Sequence, residues 1–375
     1  MSNWFIIHFQ PVEKYPPVLN FIRFVTSQPD YKKDLKLVTV HPGVGKKTIE
    51  FPHVRTHRIA TIKNRSRLQR LLFYITFNIK SLLLLIKYKP ANVLYYETLS
   101  AYAALWYKKW INPQLRVFIH YHEYTSPEEY ASGMVFSRWL HKRERKMYAK
   151  TSWVSHTNRT RMDFFLRDIE KSWPPDIFIL PNFPPQHWIQ SAAKTKRAES
   201  KRIGFVYVGA LGLASMYTQE MARFVAAHHN DCYWHIYSDN HEKEAKEYLL
   251  SLNAPNIEFK GGVRYDELPT VLAQYDIGVI IYKGISLNHI YSEPNKFFEY
   301  LICGLNVWYP QEIKGMHHFE QPHVKPWVRQ IDFAELELPA GSDGFRKDKL
   351  EAHPYTAESV YEILWKALKE TELVQ

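Results

Sequence analysis

Short apolar runs alternate along the chain with longer stretches whose apolar residues recur every three or four positions. In the first half, the runs at 4–9, 35–40, 93–96, 117–120, 152–155 and 177–180 read as strands, with helix-patterned segments between them. The rhythm breaks at 186–202, where a proline-led, polar stretch without apolar periodicity predicts a linker. It then restarts with strand-like runs at 203–208, 233–237, 257–260, 277–281 and 306–308, separated by helical patterns at 219–227, 242–251, 266–273 and 296–303. Strands alternating with helices predict mainly parallel, doubly wound sheets. The expected architecture is α/β, with two Rossmann-like domains facing across a cleft over residues 1–185 and 203–350. Residues 351–375 read as a closing amphipathic helix with Val360, Ile363, Leu364 and Leu368 on one face, expected to pack back toward the first domain. A chain of 375 residues is long enough for two such cores.

One apolar segment stands apart. Between residues 51 and 96 there is no acidic residue but there are nine lysines and arginines, beginning with Arg55, Arg58, Lys63, Arg65, Arg67 and Arg70 and leading into the apolar run 71–86. Asn78 and Lys80 interrupt that run, so it predicts an interfacial helix with basic flanks rather than one that spans a bilayer. The competing reading is a core helix behind a solvated basic loop. Charge bears on the choice, because residues 1–200 hold 32 Lys and Arg against 14 Asp and Glu, and residues 201–375 hold 17 against 24. A basic half joined to an acidic half suits one domain facing an anionic surface. Anionic lipid is the expected partner, with Arg65, Arg67 and Arg70 facing the membrane. No stretch matches a nucleic-acid-binding module, so nucleic acid is not expected as a partner.

The two cysteines, Cys232 and Cys303, form no Cys-x-x-Cys pair, and the 18 histidines show no metal-ligand spacing, so no structural metal is expected. Residues 1–11 lack the basic-then-apolar pattern of a secretory signal. The expected setting is cytoplasmic, peripherally attached to the inner face of the cell membrane.

In open parallel sheets, ligands bind beyond the carboxyl ends of strands, where helix N-termini present free N–H groups. The run 203–208 ends in Gly209-Ala-Leu-Gly212, whose glycines let the backbone approach a phosphate, although glycine there also serves simple turn geometry. Neither GxGxxG nor GxxxxGK[ST] is present. A stronger signal is Pro294-Asn-Lys-Phe-Phe-Glu-Tyr-Leu301 followed by Gly304: proline opens a helix, glycine closes it, and Lys296 and Glu299 share one face. Lys296 can then meet a phosphate and Glu299 the paired hydroxyls of a ribose. The plainer reading is an i,i+3 salt bridge on a solvated face.

With Gly262-Val-Arg-Tyr-Asp-Glu-Leu-Pro269 and Ala273-Gln-Tyr-Asp-Ile-Gly278 before it, this string resembles the donor domain of bacterial GT-B-fold, Leloir-type glycosyltransferases. The resemblance is to the group 1, glycogen-synthase-like transferases of surface polysaccharide assembly. It implies a nucleotide-sugar site in which Gly209 and Asn295 approach the donor, Val263 and Tyr265 line the base, Lys296 touches the diphosphate and Glu299 binds the ribose. The chain departs from the pattern at Leu213-Ala-Ser-Met-Tyr-Thr218, where many retaining members carry Arg and Lys, and at Tyr291, where they carry Glu. In the first half, Val117-Phe-Ile-His-Tyr-His-Glu123 is similar to the His-Glu after a central strand of such enzymes, and Ile179-Leu-Pro-Asn-Phe-Pro-Pro185 to their closing strand. That implies His122 and Glu123 as the catalytic groups, and Glu97, ending another strand, is the next carboxylate to consider.

The implied activity is transfer of a hexosyl group from a nucleotide sugar to a lipid-linked or surface-polysaccharide acceptor, such as lipopolysaccharide, O-antigen, capsule or exopolysaccharide. No cofactor and no metal are required, the diphosphate charge falling to Lys296, backbone amides and a helix dipole. Two other readings are a nucleotide-sugar epimerase of the same fold and a non-catalytic, membrane-associated scaffold. The scaffold is expected to lose Lys296 or Glu299, and both are present.

Overall fold

The computed structural model describes residues 4–29, 31, 34–43, 47–60, 66–170, 173–195, 200–339 and 354–373. The chain divides into two compact units, Met1–Asn182 with Ala357–Gln375, and Phe183–Thr356.

The first unit is built on seven strands: β1 (Trp4–His8), β2 (Leu35–Val40), β3 (Val54–Ile59), β4 (Asn92–Tyr96), β5 (Arg116–Tyr121), β6 (Trp153–His156) and β7 (Asp176–Ile179). They pair in the order β3-β2-β1-β4-β5-β6-β7, every pair parallel. β1, β2 and β4 are buried along their whole length, which explains their near-continuous apolar sequence: parallel strands are covered on both faces. The winding reverses between β1 and β4, so His8 and Tyr96, paired across that step, mark the crevice where a ligand is accommodated in such a sheet.

The second unit has six strands, β8 (Ile203–Val208), β9 (Cys232–Tyr237), β10 (Ile257–Gly261), β11 (Ile277–Val279), β12 (Asn306–Pro310) and β13 (Val328–Ile331). Their order is β10-β9-β8-β11-β12-β13, again all parallel, with the reversal between β8 and β11. The helix Asn295–Ile302 packs over this step: Tyr300 Oη accepts from Val208 N at 3.3 Å, and its ring lies on Gly278, where an added Cβ would come within 2.2 Å.

Two expectations need correction, and two strands had not been read from the sequence. The linker expected over 186–202 begins with a helix, His187–Ala193, whose Trp188 is fully buried and lies 4.8 Å from the Tyr265 ring. Trp188, Ile189 and Ala192 supply one apolar face, enough to dock the segment onto the second unit. The edge strands β3 and β13 escaped the apolar-run pattern because polar residues interrupt each, Val-Arg-Thr-His-Arg-Ile and Val-Arg-Gln-Ile. In the closing helix Ala357–Leu373, Ile363 faces outward, and the buried stripe is Val360, Tyr361, Leu364 and Trp365, which groups with the first unit. Tyr361 Oη donates to Pro17 O at 3.0 Å, and Trp365 meets Phe24 edge-on.

The helix Arg67–Tyr88 is long and apolar enough by composition to cross a bilayer, yet it is a helix with two apolar faces. A capping box of Ser66 and Gln69 starts it, and left-handed Lys89 ends it before Pro90. Phe77, Asn78, Ser81 and Leu85 are buried in the first unit, whereas Leu68, Leu72, Ile75, Ile79, Leu83 and Ile86 form an exposed stripe. Exposed Arg67, Arg70, Lys80 and Lys87 flank that stripe, and Arg65 lies outside the described residues.

The contrast between adjacent positions in the closing helix gives a test. Leu364 is 1% exposed and Ile363 67%. Leu364→Ala is expected to lower stability by about 2–5 kcal/mol and Ile363→Ala by less than about 0.5 kcal/mol in urea unfolding. Equal losses would mean that the helix docks by its other face.

Candidate active site

In the second unit the polar side chains collect at the β8–β11 reversal. Pro294 occupies the cap position of the Asn295–Ile302 helix and Asn295 its first turn, while Lys296, Phe297, Phe298 and Glu299 are all buried. The Lys296 Nζ lies 4.7 Å from the Tyr207 ring centroid and 4.4 Å from that of Tyr282, and it hydrogen-bonds the Tyr282 hydroxyl and, at 3.4 Å, that of Tyr207. Cation–π attraction of roughly 0.5–2 kcal/mol per ring offsets part of the amine's lost hydration. The solvated salt bridge is therefore ruled out for Lys296, which points to the loop after β8. There Gly209 has φ +138°, and a Cβ on it would stand 3.0 Å from Nζ, so only glycine leaves both the backbone and the amine in place.

Glu299 sits one turn further along the same face, 7% exposed. Burial pushes its carboxyl up to about 7, and the Lys296 charge only partly opposes this. A carboxylate so placed is primed to take hydroxyl donors from a ligand. Val263 and Tyr265 follow β10 and pack beside Trp188 at the margin of the core, two strands along from β8.

In the first unit His122 and Glu123 follow β5, as the sequence placed them, and join a wider group. A cavity of about 220 Å³ opens at the β1–β4 reversal, lined by His8, Tyr15, Tyr96, Glu97, His122 and Glu123 among others. His122 is buried and stacks on Tyr96 at 5.2 Å, and burial holds it neutral, down at about 3. Glu123 is exposed at the rim. Glu97 lies deeper, half-buried at the end of β4, with φ 63° and ψ 153°, a conformation uncommon outside glycine. Its carboxylate accepts from the backbone N–H of His122 at 2.7 Å and from that of Glu123. Desolvation first, then the neighbouring Glu123 charge, raise it to about 8.

The surroundings fix this group. Arg161 Nη1 donates to His122 O and Thr157 Oγ1, both at 2.8 Å, and pins the bend after β5. Buried Glu144 accepts from Tyr95 Oη and Thr98 Oγ1, each at 2.7 Å, and Thr98 meets Tyr130 at 2.7 Å. Among the described residues no cluster of three or more His, Cys, Asp or Glu is placed to hold a metal ion. Sequence reasoning missed His8, Tyr96, Tyr130, Tyr207 and Tyr282. The signal for Tyr282 was a polar residue directly after the apolar run 277–281, and for His8 a polar residue within the run 4–9, both at a sheet's carboxyl edge.

No family model matches the chain, and no curated protein matches it. Solved structures do. The lipopolysaccharide outer core galactosyltransferase WaaB superposes with a TM-score of 0.58 at 10% identity, over 98% of this chain and 99% of that one. The Anabaena protein HepE, in complex with UDP and glucose, gives 0.58 at 10% identity over 99% and 91%. The UDP-GlcNAc 2-epimerase of Methanocaldococcus jannaschii gives 0.57 at 11% identity over 99% and 100%. The chain has the GT-B fold. The winding reversal of each GT-B sheet thus carries its own buried polar group, Lys296 with Glu299 in one and Glu97 with His122 in the other.

Glu299 gives a direct thermodynamic test. Its carboxyl is raised from 4.5 to about 7 in the fold, so between those values the folded chain holds a proton that the unfolded chain has released. Stability therefore falls as pH rises through this window, and the loss is complete above about 7. Glu299→Gln is expected to raise Tm by a few degrees at pH 8 and to change it much less at pH 5, read by thermal melts. A shift of equal size at both pH values would mean that the carboxylate is not desolvated.

Proposed function

We propose that the chain is a glycosyltransferase that moves a hexosyl group from a nucleotide sugar to a lipid-linked or surface-polysaccharide acceptor at the cytoplasmic face of the membrane. The observation that carries this is the pair at the β8–β11 reversal: a buried amine held over Gly209 and, one turn on, a buried carboxylate raised by desolvation. Lys296 suits the diphosphate of a donor, and Glu299 suits the two ribose hydroxyls, each supplying a hydrogen to one carboxylate. The first turn of the Asn295–Ile302 helix adds free N–H groups on the same side. HepE, a structure of the same fold, holds UDP and glucose, which supports a nucleotide-sugar donor here.

The exposed stripe of the Arg67–Tyr88 helix supports a membrane role. It offers aliphatic side chains for the acyl boundary and Arg67, Arg70, Lys80 and Lys87 for anionic headgroups, the combination an in-plane amphipathic helix uses. Phe136 of the helix Val135–Glu144 stacks on Tyr74 at 5.7 Å, and that helix adds exposed Val135 and Trp139. The epimerase reading needs no second substrate and no such face. It predicts turnover of a nucleotide sugar alone.

Two measurements test the proposal. In thermal-shift assays across a panel of nucleoside diphosphates, at least one should stabilise the wild type, and Glu299→Ala should lose most of that shift; an unchanged shift removes Glu299 from the donor site. Leu72→Asp with Ile79→Asp, both on the exposed stripe, should abolish co-sedimentation with vesicles rich in phosphatidylglycerol, and raising the salt should weaken binding of the wild type. Undiminished pelleting of the double variant would detach the helix from any membrane role.

A further inference from the structure

Three helices of the first unit share one charge pattern. Ala101–Trp110 packs against both Arg67–Tyr88 and Val135–Glu144, and across the three the only acidic residue is Glu144. That carboxylate is fully buried and accepts from Tyr95 and Thr98, so it is out of reach of the cations on the outer surface. Exposed arginines elsewhere in the chain, such as Arg159, Arg167 and Arg264, pair with Asp163, Asp168 and Glu267.

Arg143 is held differently. Its guanidinium carbon lies 3.6 Å from the centroid of the Trp139 ring, one turn back on the same helix, and among the described residues its side chain makes no hydrogen bond and no ion pair. Stacking engages the flat face of a guanidinium and leaves the N–H groups at its edge, which can meet two oxygens of one phosphate. The stack continues inward: Phe136 lies 5.9 Å from Trp139 at 15°, and Tyr74 of the helix Arg67–Tyr88 lies 5.7 Å from Phe136 at 26°. Tyr102 supports Trp139 from the middle helix at 5.4 Å. An exposed cation is thus ordered before any anion arrives, which lowers the entropy cost of binding one.

Lys142 and Lys146 are exposed beside it, one turn apart. Like charges so spaced repel; the carbonyl end of the helix offsets part of this, and an anion would offset more. The nearest acidic residues in sequence, Glu128 and Glu129, belong to the helix Pro127–Ser132, which meets this one through the stack of Tyr130 on His141. His141 is two positions from Arg143 and so on the opposite face. Met134 and Val135, exposed at the start of the helix, put apolar surface next to the cations. A free phosphate has no use for that surface, whereas a phospholipid has.

We propose that Arg143, stacked on Trp139 and flanked by Lys142 and Lys146, binds the phosphate of an anionic phospholipid. This rests on the membrane part of the proposed function and adds a headgroup site, on a second helix, to the apolar stripe of Arg67–Tyr88. The stripe suits any fluid bilayer; the Arg143 site makes the chain prefer an anionic one.

The test uses the full chain and two probes: phosphatidylcholine vesicles with and without phosphatidylglycerol, read by co-sedimentation, and monomeric dihexanoylphosphatidylglycerol, read by phosphorus NMR titration. Wild type should favour the anionic vesicles and bind the monomeric lipid saturably, more tightly than inorganic phosphate. Arg143→Gln should lose about fivefold in affinity for the anionic vesicles and leave the weaker binding to phosphatidylcholine unchanged. Arg143→Lys, which keeps the charge but not the flat fork, should not restore the loss, and Trp139→Leu should match Arg143→Gln. Thermal melts like that of the wild type show that a variant is folded, and the Arg143 variants suffice should Trp139→Leu not be. Full rescue by Arg143→Lys, inorganic phosphate bound as tightly as the lipid, or anionic-vesicle binding indifferent to Arg143→Gln would each overturn the site, while pelleting of the wild type would keep the membrane reading. A chain that pellets with neither vesicle yet binds the monomeric lipid through Arg143 keeps the site and loses the membrane reading; one that binds neither probe loses both.

Discussion

A parallel strand covered on both faces accommodates ionisable side chains most readily at its carboxyl end, where the sheet opens to a ligand. That constraint arranges both units. β1, β2 and β4 are buried along their whole length, His8 closes β1 and Glu97 follows β4. The same holds around β8 and β11, where Gly209 and Tyr282 follow the strands and Lys296 reaches back toward them. Because neighbouring strands diverge in their connections at a winding reversal, the crevice is left open there and its polar groups share one space. Burial of charge is then the price of position, and each unit meets it differently.

In the second unit the amine is enclosed by two aromatic rings, and the carboxylate is left to desolvation, which raises it to about 7. In the first unit two carboxylates lie near one another, and the inner one is pushed to about 8 while backbone N–H groups hold its position. Groups so poised lower the stability of the fold, and a surrounding network has to hold them. Arg161 on the His122 carbonyl, Glu144 under Tyr95 and Thr98, and Tyr130 on Thr98 form that network. Such an arrangement is common where a site is prepared for a ligand that will supply the missing partners.

Much of this was legible in the sequence, for identifiable reasons. Central strands announced themselves because burial on both faces demands unbroken apolar runs, and the Pro294 to Gly304 string did so because proline, glycine and an i,i+3 pair fix a helix and its face. The edge strands β3 and β13 did not: β3 interleaves Val, Thr and Ile with Arg, His and Arg and is mostly only partly buried, so no apolar run forms. Trp188 read as part of a linker because one helical turn of apolar residues is too short for periodicity to show. Ile363 was assigned to the wrong face since Tyr361 and Trp365, amphipathic rings, took the buried stripe in its place. That Tyr207 and Tyr282 both enclose Lys296, and that Tyr130 meets Thr98 beside Glu97, was beyond reach, because these are tertiary contacts.

The Arg67–Tyr88 helix carries two faces that answer to different demands. Its Phe77, Asn78, Ser81 and Leu85 repeat at three- and four-residue steps and enter the core, as a structural helix requires. A soluble domain needs the opposite face polar, yet Leu68, Leu72, Ile75, Ile79, Leu83 and Ile86 repeat there at the same steps. Folding of the unit accounts for the first set and leaves the second unexplained, since exposed aliphatic residues in a continuous stripe favour association with an apolar partner. Phe9 ties this helix to the cavity: its ring lies 4.8 Å from Tyr74 and 4.9 Å from Phe77, and it also walls the space that holds Glu97.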